Sequence, residues 1–296
     1  MCERSRNMSK RILSLVLALM LIFALCACGS KNKAEDTADA EETTVLPPAS
    51  YEKEDGKLYR EVYYNSNGLK YSTIIHEYDG YGRVASEIEL GENDAPVSKC
   101  TYEYNDDGLK TAKLGYVAEG PEEYTFAYKV DYEYDENGNL VREQRTENDV
   151  IAAVTVYTYN DKNVLVKEEQ YEGEEFMLCA YEYVLDENGN VEKCIRHDYL
   201  EGIDSENRYT YDSNGNVIAD VSYDADGNIQ NRIEYNYDEN GNEVKRSVFD
   251  SNGGMQSSTS NEYSYDEYGN IEKVVSTHSD GSQGTTVQYT WQYSKG

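Results

Sequence analysis

The sequence has few basic residues. Its 296 positions hold 27 lysines and arginines against 57 aspartates and glutamates, so the formal net charge is −30. Proteins that bind DNA or RNA present a basic face to the phosphates, and adhesion to an anionic membrane surface requires the same. The charge therefore argues against nucleic-acid partners and is typical of an acidic, solvated surface.

Large apolar side chains are scarce as well. Phenylalanine occurs four times and tryptophan once, whereas tyrosine occurs 30 times. A tyrosine ring packs while its hydroxyl reaches water or a polar partner, which suits a half-buried layer. The composition therefore predicts a packed layer built from tyrosine rather than a core of leucine, isoleucine, valine and phenylalanine.

Recognisable catalytic and metal-binding motifs are missing. The histidines stand outside any nucleophile, zinc or phosphate-binding motif; they are His76, His197 and His278. Turns such as "DADG" resemble calcium loops, but a calcium loop needs a glutamate six residues after its glycine. That position is Gln144 after Gly138 and Val221 after Gly215. We therefore expect no enzyme activity, no cofactor and no metal site.

The N-terminus resembles a bacterial lipoprotein signal peptide. A basic flank precedes the apolar run 12–27, which is shorter than the roughly 20 residues of a membrane span. The run ends in "LCACGS", where Cys28 follows Ala27, whereas Cys26 follows the bulky Leu25. The resemblance implies a lipid on Cys28 and an extracytoplasmic protein anchored to the bacterial cell membrane. An ordinary secretory signal cleaved near Ala27 is the alternative.

A short polar segment separates this signal from the rest of the chain. Residues 28–50 are small, polar and acidic and close with two prolines. Such a segment buries too little apolar surface to fold. The sequence therefore divides into a signal peptide at 1–27, a disordered acidic tether at 28–50 and a folded repeat region at 51–296.

The folded region repeats one turn pattern. The stretch "YEYDENGNL", residues 132–140, returns as "YTYDSNGNV", "YNYDENGNE" and "YSYDEYGNI". From Gly82 onward the turn glycine, or Asn163 in its place, recurs after 26, 30, 25, 26, 26, 26 and 28 residues. Weaker copies lie halfway between the later members. Turns thus arrive about every 12 to 14 residues, which leaves room for strands and not for helices.

Each repeated turn has the composition of a β-hairpin with a glycine bulge. Its aspartate can accept a hydrogen bond from the backbone two residues on, and its glycine fits the left-handed position after a type I turn. The structural turn residues that we predict are Asp135, Gly138, Asp212, Gly215, Asp238, Gly241, Asp266 and Gly269.

The segments between turns alternate with period two. Ile229, Ile233, Tyr235 and Tyr237 share one face of a predicted strand, and polar residues share the other. This alternation is typical of an antiparallel sheet with one packed and one solvated face. The prediction is an all-β fold: an antiparallel meander of repeated hairpins, with about 18 to 20 short strands, forming a curved or spiralling sheet.

The repeated tyrosine, aspartate, glycine and asparagine resemble the YD repeat of rearrangement-hotspot (Rhs) proteins. All four residue types occur together at Tyr134, Tyr211, Tyr237 and Tyr265, and the likeness covers most of residues 57–293. In that family the repeats form a spiralling ribbon, which closes in large members into a shell around a toxin. Their "DPxG"-type core motif is missing here, so the resemblance implies the repeat array alone. The first unit, "LYREVYYNSNGL", is also similar to variant membrane-occupation repeats of antitoxin-like proteins.

Three cysteines lie in the repeat region, which excludes a disulfide-rich scaffold. Counting outward from the turn 186–189, with Leu185 opposite Val191, puts Cys179 on the tyrosine face and Cys194 on the polar face. Sulfurs on opposite faces of a sheet cannot form a disulfide. We therefore expect free thiols at Cys179, Cys194 and Cys100, with Cys194 the most readily alkylated.

These features predict a lipid-anchored extracytoplasmic repeat protein that presents a binding or scaffolding surface without catalysis. The expected partners are the membrane, through the lipid on Cys28, and a carbohydrate or protein ligand, because tyrosine-rich surfaces can stack on sugar rings. An accessory or immunity-like protein of a polymorphic toxin system is the alternative. A sugar-processing enzyme is the third candidate.

Replacing Cys28 by serine should release the protein from membranes, because Cys28 follows the small Ala27 at the cleavage position. The matched control, Cys26→Ser, should leave the protein membrane-bound. Fractionation of cells followed by immunoblotting checks both variants. A Cys28→Ser chain that is cleaved and still sediments with the membranes would contradict the lipid anchor.

Overall fold

Residues 56–293 form one antiparallel sheet in the computed structural model, and these are the residues that the structure describes. The strands are β1 (Lys57–Tyr64), β2 (Lys70–Tyr78), β3 (Val84–Leu90), β4 (Pro96–Tyr104), β5 (Lys110–Ala118), β6 (Tyr124–Tyr134), β7 (Leu140–Glu147), β8 (Val150–Tyr159), β9 (Leu165–Glu172), β10 (Phe176–Leu185), β11 (Val191–Asp198), β12 (Ile203–Tyr211), β13 (Val217–Tyr223), β14 (Ile229–Tyr237), β15 (Glu243–Asp250), β16 (Met255–Tyr265), β17 (Ile271–His278) and β18 (Gln283–Gln292). Within this range no helix is long and apolar enough to cross a membrane. The predicted signal peptide, the tether and Cys28 lie outside the described residues.

The sheet is a meander whose two ends meet. Each strand pairs with its neighbours in sequence, and β1 also pairs with β18, from Lys57 opposite Gln292 to Tyr64 opposite Thr286. The prediction of an all-β antiparallel meander is confirmed, with 18 strands. The prediction of a curved or spiralling sheet left closure undecided; β1 and β18 pair, so the sheet closes into a β-barrel and is not an open ribbon. Closure pairs the backbone groups that two sheet edges would otherwise expose.

The connecting turns form two rims, because successive strands run in opposite directions. We call the rim at which β1 begins and β18 ends the near rim; its turns are 79–83, 105–109, 135–139, 160–164, 186–190, 212–216, 238–242 and 266–270. The far rim holds the turns 65–69, 91–95, 119–123, 148–149, 173–175, 199–202, 224–228, 251–254 and 279–282. Every near-rim turn begins with aspartate or asparagine and has glycine or asparagine fourth, whereas the far-rim turns vary in sequence and length.

One side chain organises each near-rim turn. Asp212 Oδ1 accepts hydrogen bonds from the backbone N–H groups of Asn214 (2.9 Å) and Asn216 (2.8 Å), and Asn216 Nδ2 donates to Asp212 Oδ2 (3.0 Å). Gly215 has a φ of 85° and donates its N–H to the Asp212 carbonyl oxygen at 3.2 Å. The same backbone bonds and positive φ angles occur at Asp135, Gly138, Asp238, Gly241, Asp266 and Gly269.

The tyrosine before a near-rim turn joins neighbouring strands. Tyr211 and Tyr237 donate their hydroxyls to the backbone oxygens of Val191 and Val217, both at 2.8 Å. We call this bond the tyrosine latch; it also occurs at Tyr78, Tyr104, Tyr134 and Tyr159. Apart from Leu58 in β1, the accepting residue is the first one after the preceding near-rim turn. The latch therefore accounts for the tyrosine that directly precedes six of the eight near-rim turns.

A bulge follows each near-rim turn. In the β10–β11 hairpin Leu185 pairs with Val191, as the sequence predicts, but the next pair is Val184 with Lys193. Glu192 is thus the additional residue, and every later residue of β11 points to the face opposite to the predicted one. The predicted register allowed for the glycine of the turn but not for the additional bulge at Glu192.

Because of the bulges, two residues lie on the sheet face opposite to the predicted one. Cys194 lies opposite Tyr183, so it lies on the tyrosine face and its predicted place on the polar face is wrong. Ile229 lies opposite Tyr223, next to a bulge, so it does not share a face with Ile233. All three cysteines of the described region are free thiols on the tyrosine face. Burial raises the pKa of Cys194 to about 11, which makes the reactive thiolate scarce, so its predicted preference for alkylation loses its basis.

The tyrosine face lines the inside of the barrel. Burial is the main cause that raises the pKa of Tyr102, Tyr157 and Tyr183 on this face. The opposite face carries ion pairs between residues two apart on one strand, and the side chains of Arg208 and Arg232 in these pairs are more than half exposed. Barrels of 16–18 strands are wide enough to enclose an aqueous space. A single layer of tyrosine rings therefore lines the wall, in place of a solid apolar core.

Replacing Gly215 by valine should lower the free energy of unfolding by about 1–2 kcal/mol, because a β-branched residue is strained at positive φ. No atom lies within 4 Å of the added Cβ, so the loss measures backbone strain and not a clash. Gly215→Asn should cost clearly less, because asparagine tolerates this conformation. The control is Gly80→Ala, since Gly80 has equally open surroundings without a positive φ. Equal losses for the valine and asparagine variants in urea titrations would contradict the turn assignment.

Candidate binding groove and luminal polar network

A charged network lies inside the barrel on β1, β2, β3 and β4. His76 is 8% exposed; its Nε2 lies 2.9 Å from Glu61 Oε1, and its Nδ1 lies 3.3 Å from Glu87 Oε1. Tyr63 donates its hydroxyl to Glu61 Oε2 at 2.7 Å, and Tyr102 donates its hydroxyl to Glu87. The five side chains thus connect four adjacent strands.

The two carboxylates hold His76 in its charged form. Hydrogen bonds to Glu61 and Glu87 raise the pKa of His76 to about 9, although burial acts to lower it. Burial acts to raise the pKa of Glu87, but hydrogen bonds from His76 and Tyr102 outweigh it and hold that pKa below its usual value. An imidazolium fixed between two carboxylates is a poor base near neutral pH. The network is therefore suited to joining strands rather than to proton transfer.

A second group of titratable side chains lies further along the luminal wall, on β7 to β10. Burial raises the pKa of Glu143 to about 6 and also raises the pKa of Glu168. Tyr157 hydrogen-bonds to Glu143, and Tyr183 donates to Glu168 Oε2 at 3.5 Å. Carboxyl groups with raised pKa values bind protons more readily, so this arrangement moderates the negative charge of the lumen.

The acidic turns do not assemble a metal site within residues 56–293. No group of three or more histidine, cysteine, aspartate or glutamate side chains in that range is placed to hold a metal ion. Both carboxylate oxygens of Asp212 accept hydrogen bonds from their own turn. The likeness of such turns to calcium loops is therefore explained by turn closure.

The predicted turn residues all lie at the near rim, in separate hairpins. The turns at Asp135, Asp212, Asp238 and Asp266, with their glycines, are spread along the rim and are not brought together into one site. Their role in the structure is the hairpin geometry described above. Cys28 is not among the residues that the structure describes.

The near rim is irregular between β16 and β18. The last interval between turn glycines is 28 residues, and β16 is 11 residues long. Tyr263 makes the latch there, donating its hydroxyl to Glu243 O at 2.9 Å. Tyr265, two residues further along β16, therefore lies nearer the edge of the rim than the latch does. In β18, Trp291 occupies the latch position and donates its Nε1–H to Ile271 O at 2.8 Å. Two aromatic side chains thus stand at the rim on neighbouring hairpins.

These aromatic side chains border a groove of about 590 Å³. It is lined by Asn240, Asn242, Tyr265, Gly269, Asn270, Ile271 and Trp291. Asn242 Nδ2 donates to the Tyr265 hydroxyl, and Asn270 Nδ2 donates to the Tyr293 hydroxyl, both at 2.8 Å. None of the lining side chains is charged, although the surrounding turns are acidic. The groove offers a ligand an aromatic wall and the amide groups of Asn240 and Asn242, whereas the Asn270 amide is buried.

Sequence reasoning did not identify this groove. Two features of the sequence single out its residues: Trp291 is the only tryptophan, and the interval before Gly269 is 28 residues where the preceding three are 26. The asparagines belong to the repeated turns and do not differ in type from their counterparts elsewhere. Their proximity to Trp291 depends on strand register, which the sequence pattern did not predict.

No protein-family model and no curated protein matches this chain. Among solved structures, it is similar to a porin-like protein from Bacteroides uniformis, at 14% identity over 79% of this chain and 96% of that one, with a TM-score of 0.43. A porin-like protein from Bacteroides vulgatus matches at 13% identity over 80% and 99%, with a TM-score of 0.32. TcdB2-TccC3 matches at 13% identity over 77% of this chain and 16% of its own length, with a TM-score of 0.27. At these identities and scores the likenesses carry no argument about function.

The His76 network should make stability depend on pH. A pKa raised from 6.5 to about 9 means that its stabilisation is fully present below pH 6.5 and is lost as the pH rises to about 9. We expect a loss of up to about 3 kcal/mol in unfolding free energy across that window. His76→Gln should remove most of this dependence, whereas His197→Gln, on the outer face, should keep it. Urea titrations between pH 6 and 9.5 measure the unfolding free energy of each variant. If this free energy fell with pH as steeply in His76→Gln as in the unmodified protein, the assignment would be contradicted.

Proposed function

We propose that this protein is a lipid-anchored, extracytoplasmic β-barrel that binds a neutral carbohydrate in the near-rim groove, without catalysis. The observation that carries the proposal is the lining of the groove. Tyr265 and Trp291 supply aromatic surface, the Asn240 amide can donate and accept, and Asn242 offers its Oδ1 as an acceptor because its Nδ2 already donates to Asp238 and Tyr265. A sugar ring has an apolar face of C–H groups and a border of hydroxyls, and it matches both kinds of group.

The electrostatics favour an uncharged ligand. The chain has a formal net charge of −30, so an anionic ligand would be repelled over long range. A cationic ligand would gain little within the groove, because no carboxylate lines it. The lining residues also include no carboxylate and imidazole pair for general acid–base catalysis. Binding alone is therefore the activity that this groove supports.

The outer face of the barrel supports an aqueous location for the folded region. Ion pairs lie on this face both within a strand, Lys167 Nζ with Glu169 Oε1 at 2.9 Å, and between neighbouring strands, Lys193 Nζ with Glu206 Oε2 at 2.5 Å. Charged side chains on a lipid-facing surface cost several kcal/mol each near the bilayer midplane. We therefore assign the membrane attachment to the lipid on Cys28 and place the barrel in water beside the membrane.

Tyr265→Ala should weaken glycan binding strongly, because it removes one aromatic wall and the acceptor of the Asn242 amide. Tyr265→Phe keeps the ring and should retain part of the affinity. Tyr81→Ala is the matched control: Tyr81 lies at the same rim, is 86% exposed and does not line the groove.

An array of neutral and acidic oligosaccharides identifies the ligand, and calorimetry with the best neutral oligosaccharide compares the variants. We expect a loss of about tenfold or more for Tyr265→Ala. Binding confined to acidic glycans, or equal binding by Tyr265→Ala and the unmodified protein, would contradict the proposal.

A further inference from the structure

Exposed apolar side chains are concentrated at the far rim. Among the described residues, sixteen large apolar side chains are exposed, and four of them lie towards the near rim: Tyr81, Val184, Ile218 and Tyr265. The other twelve lie in the far-rim turns or in the strand ends beside them. The most exposed of these is Val150, at 66%. Surface residues of this kind scattered singly need no explanation, but a bias of twelve in sixteen towards one end of the barrel needs one.

Aromatic and other large side chains are prominent in this set. Phe126, Phe176, Tyr199, Ile203 and Met255 are each about half exposed at the far rim. Phenylalanine, tyrosine and methionine are enriched at the centres of protein–protein interfaces. Phe126 is held by an edge-to-face contact with Tyr116, with ring centroids 5.9 Å apart. The far rim therefore presents large apolar side chains to solvent.

The far-rim turns are acidic. Their nine segments contain no lysine or arginine, whereas the near-rim turns contain Arg83 and Lys162. Carboxylates stand beside the apolar side chains: Asp149 precedes Val150, Glu175 precedes Phe176 and Glu201 lies close to Ile203. A partner surface that fits this rim needs apolar side chains surrounded by lysine or arginine.

We propose that the far rim docks a protein whose contact surface combines apolar and basic side chains. The proposal goes beyond the carbohydrate groove, which lies at the opposite rim, and does not depend on it. A bilayer is disfavoured as the occupant because anionic headgroups meet a rim of carboxylates. A second copy of the chain is disfavoured because two such rims would bring like charges together.

The test uses the mature chain released by Cys28→Ser, with Val150→Glu and Phe176→Glu combined as the far-rim variant. The control combines Val184→Glu and Ile218→Glu, which lie towards the near rim and are 44% and 36% exposed. Both double variants add two negative charges, so long-range attraction of a cation is equal in the two. Circular dichroism checks that each variant keeps its strands.

The probes are a synthetic peptide that alternates leucine with lysine, an oligolysine of equal charge, a peptide that alternates leucine with glutamate, and vesicles of phosphatidylcholine. We expect the leucine–lysine peptide to bind at least about tenfold more tightly than oligolysine. The far-rim variant should weaken this binding about tenfold, while the control variant should leave it within about twofold. The leucine–glutamate peptide and the vesicles should not bind.

Four outcomes overturn the proposal. Equal binding of oligolysine and the leucine–lysine peptide would mean that net charge alone attracts the probes. An equal loss in both double variants would place the contact elsewhere on the barrel. Vesicle binding that the far-rim variant abolishes would assign the rim to lipid. A concentration-dependent dimer in sedimentation, lost in the far-rim variant, would assign it to a second copy.

Discussion

The hairpins of this barrel depend on one local interaction, in which the first side chain of a turn accepts hydrogen bonds from two backbone N–H groups of the same turn. At Asp212 these bonds close the turn, set the left-handed glycine and start β13 at Val217. The start of that strand places the Val217 carbonyl where Tyr237 of the next unit donates its hydroxyl. Turn, bulge and latch thus determine one another, which explains why the residues recur together at an interval of about 26 residues.

The distribution of charge follows from closure of the sheet. On the outer face, lysine and arginine side chains pair with carboxylates at the surface and remain partly exposed. On the inner face, burial shifts the titratable groups, and the network of His76, Glu61 and Glu87 retains one full positive charge between two carboxylates. The groove at the near rim differs from both faces, because only uncharged side chains line it. An acidic chain therefore provides surfaces of three distinct electrostatic kinds.

Sequence reasoning predicted the features that depend on residues close together in the chain. The all-β meander and its number of strands follow from turn spacing and period-two alternation. The face of Cys194 was mispredicted because Glu192 forms a second bulge, and no side-chain preference distinguishes a bulged glutamate from a paired one. Closure was not predicted because it depends on twist and stagger accumulated over eighteen strands. The groove was missed for a related reason: Trp291 meets Asn242 and Tyr265 only once three hairpins are in register.

The pairing of β1 with β18 makes the succession of strands around the barrel circular. Gly56 and Tyr293, the two ends of the described chain, consequently lie at the same rim, beside one another in the ring; a Cβ added to Gly56 would meet the Tyr293 ring at 2.6 Å. A ring of hairpins has no structural first member, so a permuted chain that is opened at another near-rim turn encodes the same set of neighbours. Duplication of one repeat would likewise change the circumference, opening one strand pairing to admit the new hairpin and leaving the other pairs intact. The architecture can therefore vary in size by whole units, and the number of hairpins is a property that selection can change in single steps.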